Sequence, residues 1–530
     1  MMPPFRLAAL LAAALAAVPS LASDQAAAAD LVLRGELTGT DQQTWHLVPF
    51  EVPPGTTRIT VDFDYTTRDA RTTVDLGLLG PGGFRGWSGG NKRSFTVSAT
   101  DATPSYLPGP LEPGQWNLML GVPNIRQDTH AEYTAHIELE HGGPPTPAPA
   151  PGDHGGPILR QEPGWYRGDL HMHTAHSDGS CLSQRQQRVP CPVFLTARTA
   201  SERGLDFIAI TDHNTVSQAD AIRELQPYFD TLLLLPGREI TTFEGHANLF
   251  GTLAPLDFRV GSSAVPDWNT LLARIGVTGG LLSINHPIRP SGEACMGCGW
   301  TPRSQVDYNR VQAVEAVNGL DADTAFSGIG FWEELLNRGY RITAIGGSDN
   351  HDALHPAVDV ATLRELNDAS APSPETLAKL KANSGVIGTP TTVIYADELS
   401  QAGILAAIRR GRVCIDIVGT RDGLLDISAT ALGHSAHMGD TLEVGRGTTV
   451  HFQGRAHGVN GGRVEPIVDG RHVDLLQKPE ISATSGSFEF AWRSDGKRHW
   501  VRVDIRDANG HLVLVGNPVY LSAGGKTSVQ

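Results

Sequence analysis

Four short runs in the middle of the chain, LDFIAIT, TLLLLPG, GLLSIN and YRITAIGG, are apolar almost from end to end. A strand with one wet face alternates polar and apolar residues, whereas an unbroken apolar strand is buried on both faces. Several such strands in one region require a sheet covered on both sides. Helix-like segments separate the runs: Pro192 opens one and Gly204 closes it, Ser217 is placed to cap a second, and Ser373-Pro374 begins a third. The pattern predicts an α/β unit over residues 164–423, either a β/α barrel or a doubly wound sheet.

The flanks have a different period. Ile59, Val61, Phe63 and Tyr65 alternate with polar residues, as do Trp116, Leu118, Leu120 and Val122, with VPPG, GPGG and EPGQ as turn signals. Residues 30–140 therefore read as a small antiparallel β-sandwich with one wet face. Period two returns with Val501, Val503 and Ile505, which predicts a second β-sandwich over residues 433–525. The Pro/Gly stretch HGGPPTPAPAPGDHGGP makes residues 141–160 an extended linker.

MMPPFR followed by LAALLAAALAAV reads as a secretory signal peptide over residues 1–22, and no later stretch is apolar enough for a transmembrane helix. The expected location is periplasmic or secreted. A formal net charge of -15 over 530 residues argues against a nucleic-acid-binding patch. The cysteines fit an oxidising compartment: Cys181 and Cys191 flank a polar insertion that a disulfide could staple, Cys295 and Cys298 form a small CMGC loop, and Cys414 reads as a buried thiol.

Potential metal ligands collect at the ends of the apolar runs. DLHMHTAHSDGS sets His171 and His173 on one side of an extended strand, and the turn after them can return Asp178. LDFIAI ends near His213, TLLLLPGR ends in Glu239 with His246 soon after, GLLSIN ends in His286, and RITAIGG leads to Asp349 and His351. A single histidine after a strand has an ordinary explanation. Ligand-type residues at five run ends do not share one unless they meet at a common mouth.

The order DLHxHTxxSDG, TDHN, a lone Glu, a His, NHP and SDxH resembles the PHP (polymerase and histidinol phosphatase) superfamily of metal-dependent hydrolases. The overall layout is similar to its secreted carbaryl-hydrolase-like branch. The resemblance implies a distorted seven-stranded β/α barrel between the two β-sandwiches. It also implies nine metal ligands: His171, His173, Asp349 and a bridging Glu239 for one ion; Glu239, His246 and His286 for a second; and Asp178, His213 and His351 for a third.

Imidazole nitrogen and carboxylate oxygen suit zinc, manganese or iron, so two or three such divalent ions are the expected cofactors. Two cations sharing Glu239 could share a hydroxide nucleophile held through Glu239, Asp349 and His286. The expected function is a hydrolase of a small ester, with a phosphoesterase favoured because three cations suit a phosphate. A carbamate or carboxyl-ester hydrolase and a non-catalytic, metal-stabilised binding protein are the alternatives. Arg289 and His355 are candidate substrate contacts, Asp169 could orient an imidazole, and residues 292–300 are a candidate loop over the site.

Overall fold

The computed structural model describes residues 29–142, 156–293, 295–355, 385–459, 462–473, 481 and 486–523. The stretch read as a signal peptide, most of the Pro/Gly linker and the helix start expected at Ser373-Pro374 lie outside the described residues.

Residues 29–141 fold into two four-stranded antiparallel sheets. In Thr56–Tyr65 the period of two is visible directly: Ile59, Val61, Phe63 and Tyr65 are buried, and Asp62 and Asp64 are exposed. They share one core with Trp116, Leu118, Leu120 and Val122 from the opposite sheet. The outer face of that opposite sheet is dry rather than wet. Trp45, Trp87 and Met119 pack against the middle of the chain, where Trp45 stacks on Phe243 at 4.5 Å and donates from its indole to the Val260 carbonyl at 3.1 Å. Burying side chains of this size stabilises the contact by roughly 1.5–3 kcal/mol each.

The middle of the chain does not form the expected seven-stranded β/α barrel. Its strands belong to a mixed sheet of 15 strands. The order runs from Thr343–Gly347 through Ala313–Asn318, Leu281–Ile284, Gly245–Phe250 and Leu233–Thr242 to Phe207–Ile210, Gly164–Asp169, Thr391–Ala396 and Val413–Asp416. From there it passes without a break into the C-terminal strands Leu512–Gly516 and His499–Arg506. Leu233–Thr242 turns through Phe243 and Glu244 into an antiparallel pair with Gly245–Phe250, which is antiparallel to Leu281–Ile284 as well. Thr391–Ala396 is antiparallel to both neighbours. A two-residue turn has no room for a crossover helix. Among the described residues there are five α-helices: Val193–Glu202, Ala219–Leu225, Trp268–Gly276, Ile329–Asn337 and Gln401–Arg410.

The apolar runs are nonetheless buried on both faces, as read. In Phe207–Ile210 every residue is buried; Phe207 and Ala209 join Tyr166, Leu233 and Ile345, while Ile208 and Ile210 pack with Val193 and Ala197 of the first helix. That helix starts after Pro192 and is followed by Gly204 at φ +77°. Ser217 caps nothing; its hydroxyl meets His176 Nδ1 at 2.7 Å and accepts from the Ser105 amide at 3.0 Å.

Two features bring the ligand segments together. Thr392 accepts from the Gly346 amide at 2.8 Å and donates to its carbonyl at 2.7 Å, drawing Thr343–Gly347 against Thr391–Ala396. Beyond that point Asp349 N donates to His171 O at 2.9 Å and His173 N to Asn350 O at 2.7 Å.

Candidate metal centre

Glu239 is the centre of the constellation, at 1% exposure. Its two oxygens face different imidazoles. Oε1 lies 3.4 Å from His171 Nε2, 3.4 Å from His246 Nδ1 and 3.3 Å from His286 Nε2. Oε2 lies 2.8 Å from His213 Nδ1 and 3.6 Å from His173 Nε2. Asp349 Oδ1 links the two sets, 3.4 Å from His171 Nε2 and 3.3 Å from His173 Nε2. Asp178 closes another, 3.6 Å from His213 Nε2 and 3.4 Å from His351 Nε2.

All nine residues expected to be ligands are brought together. Their donor atoms form groups whose members lie within 4.8 Å of one another: His173, Asp178, His213 and His351; His171, His173 and Asp349; and Glu239, His246 and His286. These groups could hold a metal ion. Nε2 of His171, Nε2 of His173 and Oδ1 of Asp178 are buried without a hydrogen-bond partner among the described residues. A buried polar atom left unsatisfied costs about 1–3 kcal/mol, and a cation is the partner that nitrogen and carboxylate oxygen accept jointly.

The backbone is strained where ligands must be aimed. His286 has φ +25° and Asp349 φ +56°, in the left-handed region that costs a non-glycine residue of order 1–3 kcal/mol. Both are fixed by their neighbours: His286 N donates to Glu315 Oε2 at 3.0 Å, and Asp349 N to the His171 carbonyl.

Charge balance follows burial. Desolvation alone would raise the carboxyl of Glu239, but His171, His213 and His246 hold it well below the usual range. Asp349 and Asp178 are depressed in the same way against burial, by His171 and His351 respectively among others. Burial, reinforced by the nearby rings of His351 and His213, lowers His173 to about 4, so its lone pair is free at neutral pH. Burial would lower His351 too, yet Asp178 and Asp349 lift it to about 9.

Several supporting residues were not singled out in the sequence. Glu315 Oε1 contacts His171 Nδ1 at 2.9 Å. The Asn285 amide donates to Glu239 Oε1 at 2.8 Å, and Thr241 Oγ1 meets His213 Nδ1 at 2.7 Å. Lys92, from the N-terminal unit, donates to the carbonyls of Ala175 and Ser177 at 3.2 Å each, beside Asp178. A carboxylate inside AVEAVN was the available signal for Glu315, because a charge in a buried strand needs a partner.

Other expectations are redirected. Asp169 orients backbone rather than an imidazole, accepting from the amides of His171, Ser348 and Gly388. His176, between the ligand positions His173 and Asp178, is half-buried against Ser217. Arg289 is paired, with Nε 2.9 Å from Asp321 and Nη1 3.4 Å from Asp349. His355 lies in the turn where its amide donates to the Asp352 carbonyl. Cys295 and Cys298 form a disulfide, Cys181 and Cys191 are buried thiols, and Cys414 is buried as read. A cleft of about 500 Å³ opens between the N-terminal unit and the Cys295–Cys298 loop, lined by Gln43, Asn124, Phe243, Glu244 and Met296 among others.

No family model matches the chain, and no curated protein matches it. Among solved structures, the crystal structure of PsfC from Pseudomonas syringae PB-5123 is 18% identical, over 44% of this chain and 82% of its own, with a TM-score of 0.26. A likeness that shallow carries no argument about architecture or chemistry. Among the described residues no helix is long and apolar enough to cross a membrane.

Proposed function

We propose that this protein is an exported metal-dependent hydrolase, and that its substrate is a phosphate ester. The observation that carries the reading is the position of Glu239 among five imidazoles, with Oε1 facing His171, His246 and His286 and Oε2 facing His173 and His213. Glu239 would serve two cations, one with His171, His173 and Asp349, the other with His246 and His286. Asp178, His213 and His351 would hold a third. A bound divalent ion such as zinc, manganese or iron supplies Lewis acidity, which acidifies water and polarises an ester oxygen.

The chain's own groups set the conditions for that chemistry. Burial of Glu239 and the imidazoles strengthens their electrostatics by lowering the local dielectric. Arg289, braced by Asp321 beside Asp349, keeps a positive charge at the edge of the site. The order of motifs supports the likeness to the PHP superfamily; that likeness rests on the motifs and not on a barrel. The Cys295–Cys298 disulfide supports export.

A carbamate or carboxyl-ester substrate is the second reading. It is favoured by Arg289, the basic side chain beside Asp349, which already commits Nε to Asp321 and Nη1 to Asp349 and so has few donors left for an anion. A metal-loaded enzyme assayed on nitrophenyl phosphate, bis-nitrophenyl phosphate, naphthyl acetate and naphthyl methylcarbamate separates the two. Turnover of the phosphate esters, lost in His286→Ala, is expected; turnover of the carbonyl esters alone selects the second reading. Turnover of none, with metal bound, leaves a metal-stabilised binding protein.

A further inference from the structure

The loop closed by Cys295 and Cys298 faces the candidate metal centre with main-chain carbonyls. Met296 O lies 3.3 Å from His246 Nε2, and Cys298 O lies 2.8 Å from His286 Nδ1. A carbonyl only accepts, so each contact requires a proton on that nitrogen and leaves the lone pair on the other one. The other nitrogens, His246 Nδ1 and His286 Nε2, are the ones that face Glu239 Oε1, at 3.4 and 3.3 Å.

The same loop is bonded to both ligand-bearing segments. Trp300 N donates to Pro287 O at 2.9 Å and Thr301 N to Glu244 O at 2.8 Å. Gly292 and Cys295 exchange both main-chain hydrogen bonds, at 3.1 and 3.0 Å, and the Ser291 hydroxyl accepts from Gly297 N at 2.7 Å. Packing allows no slack: a Cβ at Gly297 would lie 1.8 Å from Thr242 O, and one at Gly299 would lie 2.2 Å from Arg289 O.

We propose that the Cys295–Cys298 loop is a positioning clamp that selects the tautomers of His246 and His286 through the carbonyls of Met296 and Cys298, and thereby builds the binding site of one particular cation. The proposal rests on reading Glu239, His246 and His286 as a metal set. The disulfide keeps two carbonyls aimed inward in a loop that has no regular structure of its own. Partners of this kind on the non-coordinating nitrogen change metal affinity by about 10- to 100-fold.

The test uses the full chain, stripped and titrated with cobalt(II) chloride, followed by calorimetry and by the visible d–d absorption of the bound ion. Cys295→Ser/Cys298→Ser is compared with wild type and with His286→Ala, and thermal melting reports folding. Gly297→Ala, which keeps both cysteines, is the second variant. The expected result is one binding step weakened about 10- to 100-fold in the serine and alanine loop variants. The d–d band lost should be the one missing from His286→Ala, with the remaining steps unchanged. Unchanged affinity and spectrum in both loop variants overturn the proposal. So does a uniform loss of every step together with the melting transition, because that marks the loop as general support. A wild-type chain that takes up no cobalt at any step overturns the metal reading itself, which is a different failure.

Discussion

The carboxylate of Glu315 contacts Nδ1 of His171 at 2.9 Å, on the side of the ring opposite the nitrogen that faces Glu239 and Asp349. Its second oxygen accepts from the His286 amide at 3.0 Å and from the Asn318 side chain at 2.8 Å. One buried acid therefore orients two candidate ligands at once. Its oxygens already make these bonds, and with His171 and His286 it also forms a group that could hold a metal ion. Glu315→Ala is expected to weaken metal binding by about 10- to 100-fold in a titration followed by calorimetry. Unchanged affinity would show that His171 keeps its tautomer unaided.

The charge arrangement predicts opposite trends for the metal-free protein on the two sides of neutrality. His351 rises to about 9 in the fold, against an ordinary value of about 6.5. Its protonated form stabilises the fold fully below about pH 6.5, and that contribution is lost as pH climbs towards 9. Glu239, Asp349 and Asp178 are depressed, so their contribution is present above about pH 4 and is lost as the solution is acidified through their folded values. The His351 ring is 39% exposed, so solvent screening trims its effect and the direction is the prediction. Melting temperatures of chelator-treated protein should fall from pH 6.5 to 9, while metal affinity rises because each cation displaces a proton. A metal-free melting temperature that is flat or rising over that window would contradict the assignment.

Lys92 joins the N-terminal unit to the ligand loop through the carbonyls of Ala175 and Ser177, and donates within its own unit to Ser105 Oγ at 2.9 Å. Lys92→Met removes three hydrogen bonds while keeping the aliphatic stem. It should weaken binding of the ion held by Asp178, His213 and His351 more than it lowers the melting temperature. Competition titrations of the variant against wild type read this directly, and equal affinity at every step would count against it.

The bridging place of Glu239 was legible only through the family resemblance, and the strain at His286 left no signal in the sequence. The nine candidate ligands lie at the ends of apolar runs, where imidazoles and acids have no packing reason to be, and the choice of those nine came from the resemblance to the PHP superfamily. Burial on both faces was equally legible, since Phe207–Ile210 has no polar side chain and Leu281–Ile284 only Ser283. Strand direction was not. A run such as TLLLLPGR fixes what is buried, but the turn at Phe243 and Glu244, which reverses the next strand, lies outside it. The dry contact of Trp45 with Phe243 was hidden because both residues look like ordinary core until two units are docked.

That docking has a counterpart at the other end of the chain. Arg502 is 2% exposed, paired with Asp504 and with Glu333 of the helix Ile329–Asn337, and sits over the Trp332 ring. Removing one partner of a buried ion pair costs about 3–5 kcal/mol, because the other charge is left without compensation. Arg502→Ala should lower stability by about that amount in chemical denaturation, and Arg502→Met by less if Asp504 takes up a proton. A loss below about 1 kcal/mol in Arg502→Ala would mean that the pair is solvated.

Crystals soaked in manganese or zinc and measured at the metal's absorption edge test the central claim most directly. The account predicts anomalous peaks on either side of the Glu239 carboxylate, one within bonding distance of His171, His173 and Asp349 and another near His246 and His286. A well-ordered Glu239 with no peak beside either oxygen, under metal-replete conditions, would contradict it.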